Sequence, residues 1–141
     1  MKVFRIPLKV HLSDVDHAGI VYYPNIFQYL NVALEEFFGR QVGVDYPTMV
    51  LEHRIGLPTV HLETDFRHPI RFGDKFDIEI AVEKVGKTSI VFAYAIRNAG
   101  TEEIAVKGRK VTVCLDLDQF QKTNIPQWLR DKLAVLQEVS G

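Results

Sequence analysis

From Phe4 to Leu12 apolar residues hold every even position, Phe4, Ile6, Leu8, Val10 and Leu12, while Arg5, Pro7, Lys9 and His11 alternate with them. A period of two marks a half-buried strand. Pro7 has no N–H to give a ladder, so the strand is expected to leave one side unpaired. Over residues 24 to 39 the period lengthens. Gln28, Asn31 and Glu35 form a polar stripe at helical spacing, and Ile26, Phe27, Tyr29, Leu30, Ala33, Leu34, Phe37 and Phe38 cover the rest of the circumference. That distribution predicts a mostly buried helix, with Pro24 suited to its first turn and Gly39 to its stop.

Residues 40 to 57 mix periods and read as a connection with one helical turn. From Pro58 onward the chain reads as sheet: "TVHLETDF" ends near His68-Pro69, "KFDIEIAVEKV" alternates on Phe76, Ile78, Ile80 and Val82, and "SIVFAYAI" on Ile90, Phe92, Tyr94 and Ile96. Gly86-Lys87 and Asn98-Ala99-Gly100 supply the turns of an antiparallel meander. In the last strand the apolar phase changes, from Ile104 and Val106 to Val111, Val113 and Leu115. A β-bulge near Gly108 is expected to return both halves to the core. "IPQWLRDKLAVLQEV", apolar at Leu129, Leu133 and Leu136, predicts an amphipathic C-terminal helix. One strand, a long buried helix, four strands and a terminal helix predict an α+β fold in which an antiparallel sheet wraps a long central helix.

A length of 141 residues is that of one domain, spanning 1–141. A net charge of -1 provides no single-sign field, so no nucleic-acid partner is expected. Cys114 is the sole cysteine, which rules out an internal disulfide, and no Cys/His cluster has zinc-site spacing, so no metal is expected. The alternating N-terminus has no apolar core of a signal peptide, and no apolar run reaches the ~18 residues of a membrane span. A cytoplasmic location is expected.

Two matches to catalytic patterns fail. "AVEKVGKT" has Ala81 where a phosphate-binding loop needs glycine, and a strand follows it instead of a helix. Cys114 sits in an apolar strand without a paired base and reads as a small core hydrophobe; no G-x-S-x-G elbow is present. "DVDHAGIVYYPN" remains. An acidic residue ahead of a helix can simply cap it, but Asp16 stands too far before Pro24 to be its N-cap, and "HAGIVYY" is apolar enough to wall a cleft. A carboxylate there can act as nucleophile or general base while unpaired amides at the helix start stabilise an oxyanion. Those parts suit acyl transfer or hydrolysis without a metal. Asp14 reads as a loop organiser that accepts from nearby backbone amides, and Tyr22 and Asn25 either line the cleft or pack beside the helix.

"SDVDHAGIVYYPNIFQYL" resembles the signature of the 4-hydroxybenzoyl-CoA thioesterase branch of the hotdog-fold acyl-CoA thioesterases, and "GLPTVHLETDFRHPIRFGDKFDIEI" is similar to that family's next two strands and the turn between them. The resemblance covers nearly the whole chain. It implies a hotdog, a sheet wrapped around the helix of residues 24 to 39, with homodimers formed edge to edge, active sites at the subunit interface, and pairing into homotetramers. It implies Asp16 as the catalytic carboxylate and the backbone N–H of Tyr23 as the donor to the thioester carbonyl. Gly19 is the glycine of the motif; with Tyr22 and Asn25 it belongs to the substrate-binding set, in which His17, at a position where the family varies, either tunes the site or stands exposed in a structural role, and to which Gly56 adds a second backbone contact and Lys87 a basic contact for CoA phosphates. The implied reaction is hydrolysis of an acyl-CoA thioester, with CoA as part of the substrate and no separate cofactor. Lys84, Lys87 and Arg109 form a basic rim that serves CoA or an acyl carrier protein equally. An acyl carrier protein thioesterase and a non-catalytic acyl-CoA-binding protein are the alternatives, and the acyl group stays open between aromatic and aliphatic.

Overall fold

The computed structural model describes residues 2–137. Its elements run β1 (Phe4–Leu8), a 3-10 turn (Leu12–Asp14), α1 (Tyr23–Phe37), a π-helical turn (Phe38–Val42), α2 (Tyr46–Leu51), β2 (Ile55–Gly56), β3 (Thr59–Phe66), β4 (Phe76–Val85), β5 (Ser89–Asn98), β6 (Ile104–Val113), β7 (Leu115–Asp116), β8 (Gln121–Lys122) and α3 (Gln127–Gln137). Five strands make one antiparallel sheet in the order β1-β4-β5-β6-β3, and β2-β7-β8 form a small second sheet. β1 is an edge, as Pro7 demands. Leu12, expected in the core, is 74% exposed, because the strand stops at Leu8 and the 3-10 turn faces it outward.

The expected central helix is present. Ile26, Tyr29, Leu30, Ala33, Leu34 and Phe37 of α1 are buried against the sheet, and each large apolar side chain so buried contributes roughly 1.5–3 kcal/mol. Phe37 meets Phe4 and Phe92 edge to face at ring separations of 5.9 and 6.0 Å. Gly39 does not end the helix. Phe38 and Val42 carry the apolar period one turn past it, both fully buried, and Gly43, at φ 83°, makes the left-handed stop. Burial of those two side chains outweighs the ~1 kcal/mol that an internal glycine costs.

The helical turn expected between residues 40 and 57 is α2, whose N-cap Asp45 accepts from the Thr48 N–H at 2.8 Å. In α3, Leu129, Leu133 and Leu136 are buried as the spacing required; positions 138 and 139 of the predicted stretch lie outside the described residues.

The bulge in β6 lies at Ala105 and not at Gly108. Val106 pairs with Ile96 and Ile104 with Arg97, which leaves Ala105 as the extra residue, while Gly108 pairs regularly with Tyr94 and Thr64. The core face therefore stays on even positions, Val106, Lys110, Thr112 and Cys114, and Val111 and Val113 are only half-buried on the other side. Two polar side chains tolerate the interior because each finds an acceptor: Lys110 Nζ donates to Asn31 Oδ1 at 3.1 Å, and Thr112 Oγ1 to the Ile90 carbonyl at 3.3 Å. Apolar pattern alone put the wrong residues inside.

Cross-strand pairing orders the inner face near β3 into rows. Phe66 and Val106 share a row with Ile96, Thr64 and Gly108 with Tyr94, and Leu62 and Lys110 with Phe92. From Ile96 to Ile90 the sheet extends roughly 20 Å at ~3.3 Å per residue, and these rows are the ruler against which the site is placed.

Candidate active site

The stretch from Asp14 to Tyr22 doubles back on itself before entering α1. Val15 and Val21 form a bridge, the Tyr22 N–H donates to the Asp14 carbonyl at 3.0 Å, and the Asp16 N–H to the Ile20 carbonyl at 2.8 Å. Gly19, at φ 74°, closes the turn in a conformation that disfavours any side chain. Its carbonyl accepts from the Phe72 N–H at 2.8 Å, which ties the turn to the segment before β4. Asp16 is exposed at the tip. Its Oδ1 accepts from the Ala18 and Ile20 N–H groups at 2.8 and 3.2 Å, and Oδ2 accepts none among the described residues. The Ala18 amide, then the Ile20 amide, with a smaller contribution from His17, hold the carboxyl below the ordinary aspartate value. Asp16 is thus a fixed, ionised carboxylate whose second oxygen is available for chemistry.

Directly after this turn Tyr22 caps α1 and Tyr23 is its first residue. An N–H in the first helical turn has no partner within the helix, and the helix dipole adds positive potential there. Tyr22 and Tyr23 are 56% and 59% exposed. The Tyr23 ring stands edge to face with Phe66 at 6.3 Å, and Phe66 does the same with Phe27 at 6.3 Å. A groove of about 270 Å³ opens beside these rings, with Ile20, His68, Ile70 and Val106 among its walls. Phe66 and His68 escaped the sequence reading. The available signals were an aromatic residue closing a strand and the His68-Pro69 turn; the missing one was the Ala105 bulge, whose carbonyl accepts from both the Arg67 and His68 N–H groups at 2.8 and 3.1 Å and so swings that turn toward Tyr23.

Asp14 organises the loop, as expected. Its Oδ2 accepts from the His11 N–H at 2.9 Å and from the Tyr29 hydroxyl at 2.6 Å, and its carbonyl accepts from Asn25 Nδ2 at 2.9 Å. Asn25 is thereby committed to the loop backbone at the start of α1. The Tyr29 hydroxyl, first, and then the His11 amide lower the Asp14 pKa. A carboxylate with a depressed folded-state pKa stabilises above its unfolded value, and this is lost as pH falls through the folded one. Tyr29→Phe is therefore expected to cost about 1 kcal/mol at pH 7 by urea unfolding, with the gap from wild type shrinking below about pH 3.8. A gap that stays constant into acid would show that Asp14 is not the partner that matters.

Gly56 and Lys87 lie elsewhere. Gly56 pairs with Leu115, and Lys87 sits in the β4–β5 turn next to Thr88, whose carbonyl accepts from Cys114 N–H. Both belong to the Ile90 and Thr112 end of the sheet, whereas Asp16 and Tyr23 adjoin the Phe66 and Val106 end. The chain brings Asp16, His17, Gly19, Tyr22, Tyr23 and Asn25 together and leaves Gly56 and Lys87 apart. Nor do the three basic residues form one rim: Arg109 faces away from α1 and pairs with Glu83. On that face a hollow of about 630 Å³, floored by Ala81, Ala93 and Ala95, is rimmed by this pair and by Glu79 with Arg97. Among the described residues no group of three or more His, Cys, Asp or Glu side chains is placed to hold a metal ion.

The chain matches the thioesterase-like superfamily over residues 10–133. It is 28% identical over 126 residues to a 1,4-dihydroxy-2-naphthoyl-CoA hydrolase of Crocosphaera subtropica, an alignment covering 86% of this chain and 91% of that protein. Among solved structures, a 1,4-dihydroxy-2-naphthoyl-CoA thioesterase from Synechocystis superposes with a TM-score of 0.86 at 23% identity, over 97% of this chain and 99% of that one. A thioesterase superfamily protein from Jannaschia superposes with a TM-score of 0.89 at 22% identity, over 97% and 94% of the two chains. At such identities the structural likeness speaks for the fold.

Proposed function

The chain belongs to the thioesterase-like superfamily and has a hotdog fold, and from that premise we propose that it hydrolyses an acyl-CoA thioester, as a member of the 4-hydroxybenzoyl-CoA thioesterase branch. The observation that carries the reading is Asp16, an ionised carboxylate held by two backbone amides just ahead of the open N-terminus of α1. The thioester carbonyl oxygen accepts from the Tyr23 N–H, which takes up charge as the carbonyl carbon becomes tetrahedral. Asp16 either attacks that carbon or removes a proton from the water that does. The C–S bond then breaks with its electron pair on sulfur and CoA leaves as the thiolate; in the water route this frees the acid directly, and in the nucleophilic route a water then hydrolyses the Asp16–acyl anhydride, which frees the acid and restores the carboxylate. A thioester is already an activated acyl donor, so one oriented base and one oxyanion site suffice. CoA enters as substrate, and the scheme uses no further cofactor.

The aromatic walls at Tyr22, Tyr23 and Phe66 favour an aromatic acyl group, in keeping with the naphthoyl substrate named for the relatives. A second copy of the chain completes the site. β3 is an eight-residue edge strand with Val60, Leu62 and Phe66 exposed, and a long apolar edge is a template for another strand. Antiparallel pairing of two β3 edges sets the Gly56 and Lys87 end of one copy against the Asp16 and Tyr23 end of the other. Two such dimers make the homotetramer. Among the described residues no helix is long and apolar enough to cross a membrane, in keeping with a cytoplasmic enzyme.

Thiol release from benzoyl-, 4-hydroxybenzoyl-, 1,4-dihydroxy-2-naphthoyl- and straight-chain acyl-CoAs, beside the same acyl groups on an acyl carrier protein, tests this. Stoichiometric CoA release concentrated on the aromatic thioesters is expected. Turnover confined to the carrier protein, or a folded protein silent on every thioester, would overturn it.

A further inference from the structure

Tyr23, Phe27 and Asn31 follow one another at four-residue spacing and so share one face of α1. Opposite them stand the inner-face rows of β3 and β6: Phe66 and Val106, then Thr64 and Gly108, then Leu62 and Lys110. The edge-to-face contacts of Phe66 with Tyr23 and Phe27 fix the first row against the start of the helix, and the bond from Lys110 Nζ to Asn31 Oδ1 fixes the last row two turns further along. The seam between helix and strands thus runs ~12 Å from the Tyr23 N–H, at 1.5 Å per residue, and the groove beside Tyr23 opens at its near end. In its middle the Tyr94 ring lies over Gly108, where no side chain would fit, and the Tyr94 hydroxyl is engaged with Thr64 and the Glu63 carbonyl.

Lys110 closes the far end and is only 9% exposed. An ammonium buried to that degree is normally matched by a carboxylate. Its one acceptor is a neutral amide oxygen, and it takes part in none of the ion pairs among the described residues. Burial without a counter-charge also lowers its pKa. Two of its three N–H donors have no acceptor among the described residues.

We propose that the acyl group lies along this seam, over the exposed Tyr23, Phe66 and Leu62 side chains, and that Lys110 binds an anionic oxygen, carboxylate or phenolate, at the acyl group's far end. This rests on the hydrolase reading above and narrows its substrate to acyl groups with such an oxygen. Lys110 selects; it takes no part in bond breaking.

The test compares kcat/KM within two pairs of thioesters matched in length: suberoyl-CoA against octanoyl-CoA, and 4-carboxybenzoyl-CoA against 4-methylbenzoyl-CoA. Wild type is expected to favour the carboxylate member by about ten- to hundredfold, the worth of one charge-assisted hydrogen bond. Lys110→Met, which keeps the length and apolar stem, is expected to bring each ratio to about one or below; Lys110→Gln, which keeps polarity without charge, does the same and serves if the methionine variant fails to fold. A wild type without preference, or a preference unchanged in both variants, overturns the proposal while leaving hydrolysis standing. Loss of dimers in a variant with an unchanged ratio overturns it too, since Lys110 then pairs with a carboxylate of the second copy. A folded wild type silent on all four thioesters overturns the hydrolase reading and this one with it.

Discussion

Asp16→Asn is expected to lower kcat for CoA thioester hydrolysis about 10³-fold and to move KM far less, the pattern of a group that acts in the transition state and contributes little to ground-state binding. The substitution is a narrow one. Asparagine keeps an oxygen at the Oδ1 position, where it accepts from the Ala18 and Ile20 amides, so the turn and the entry to α1 are retained. What goes is the negative charge and with it the capacity to attack carbon or to take a proton from water. The pH profile supplies a second readout. Because backbone amides lower the Asp16 pKa, the acid limb of wild-type kcat/KM is expected to lie below the ordinary aspartate value of 3.8. Asp14→Asn serves as the contrast: its carboxylate is spent on the His11 amide and the Tyr29 hydroxyl, so that change acts on stability and leaves the acid limb in place. An Asp16→Asn variant that turns over thioesters at the wild-type rate would transfer the chemistry to another group.

How far the sequence discloses this arrangement differs between backbone and site. Strand positions follow from a period of two because a residue's face is decided by its immediate neighbours in the chain; β4 and β5 appear where Phe76, Ile78, Ile80 and Val82, and Ile90, Phe92, Tyr94 and Ile96, place them. Periodicity misplaces an inward residue that is polar and brings its own partner from a distant segment. Lys110 and Asn31 are 79 positions apart, and no local pattern reports their bond. The bulge at Ala105 escaped for a related reason: it depends on which N–H groups reach a carbonyl, here those of Arg67 and His68. For the site, Asp14, Asp16 and Tyr23 are legible because the loop that holds them is contiguous. Gly56 and Lys87 lie at the other end of the sheet from that loop, and under the proposed pairing of two copies they would meet it across the β3 edge, a contact that pattern within one chain does not describe.

The second large effect is structural and falls on Gly108. Replacing it with alanine is expected to destabilise the protein by about 3 kcal/mol, a fall in Tm of about 10 °C for a chain of this size. The residue lies on the inner face between Tyr94 and Thr64, with no left-handed backbone to blame. The reason is space. A Cβ there would stand 2.5 Å from the Tyr94 hydroxyl oxygen and 2.6 Å from the ring carbon that bears it, and closer still to the Glu63 carbonyl. Tyr94 cannot simply swing aside, because it is 3% exposed and its hydroxyl bonds Thr64 and the Glu63 carbonyl. Nor can the carbonyl retreat without pulling β3 from β6. The strain therefore falls on the edge strand proposed to receive the second copy, and amide exchange along β3 is expected to quicken before the rest of the sheet responds. Combining Gly108→Ala with Tyr94→Phe separates the two obstacles: removing the hydroxyl relieves one of them and leaves the Glu63 backbone in place, so recovery is expected to be partial. Full recovery would assign the whole cost to the tyrosine, whereas a Gly108→Ala protein as stable as wild type would mean that β3 and β6 do not approach as closely as their pairing requires.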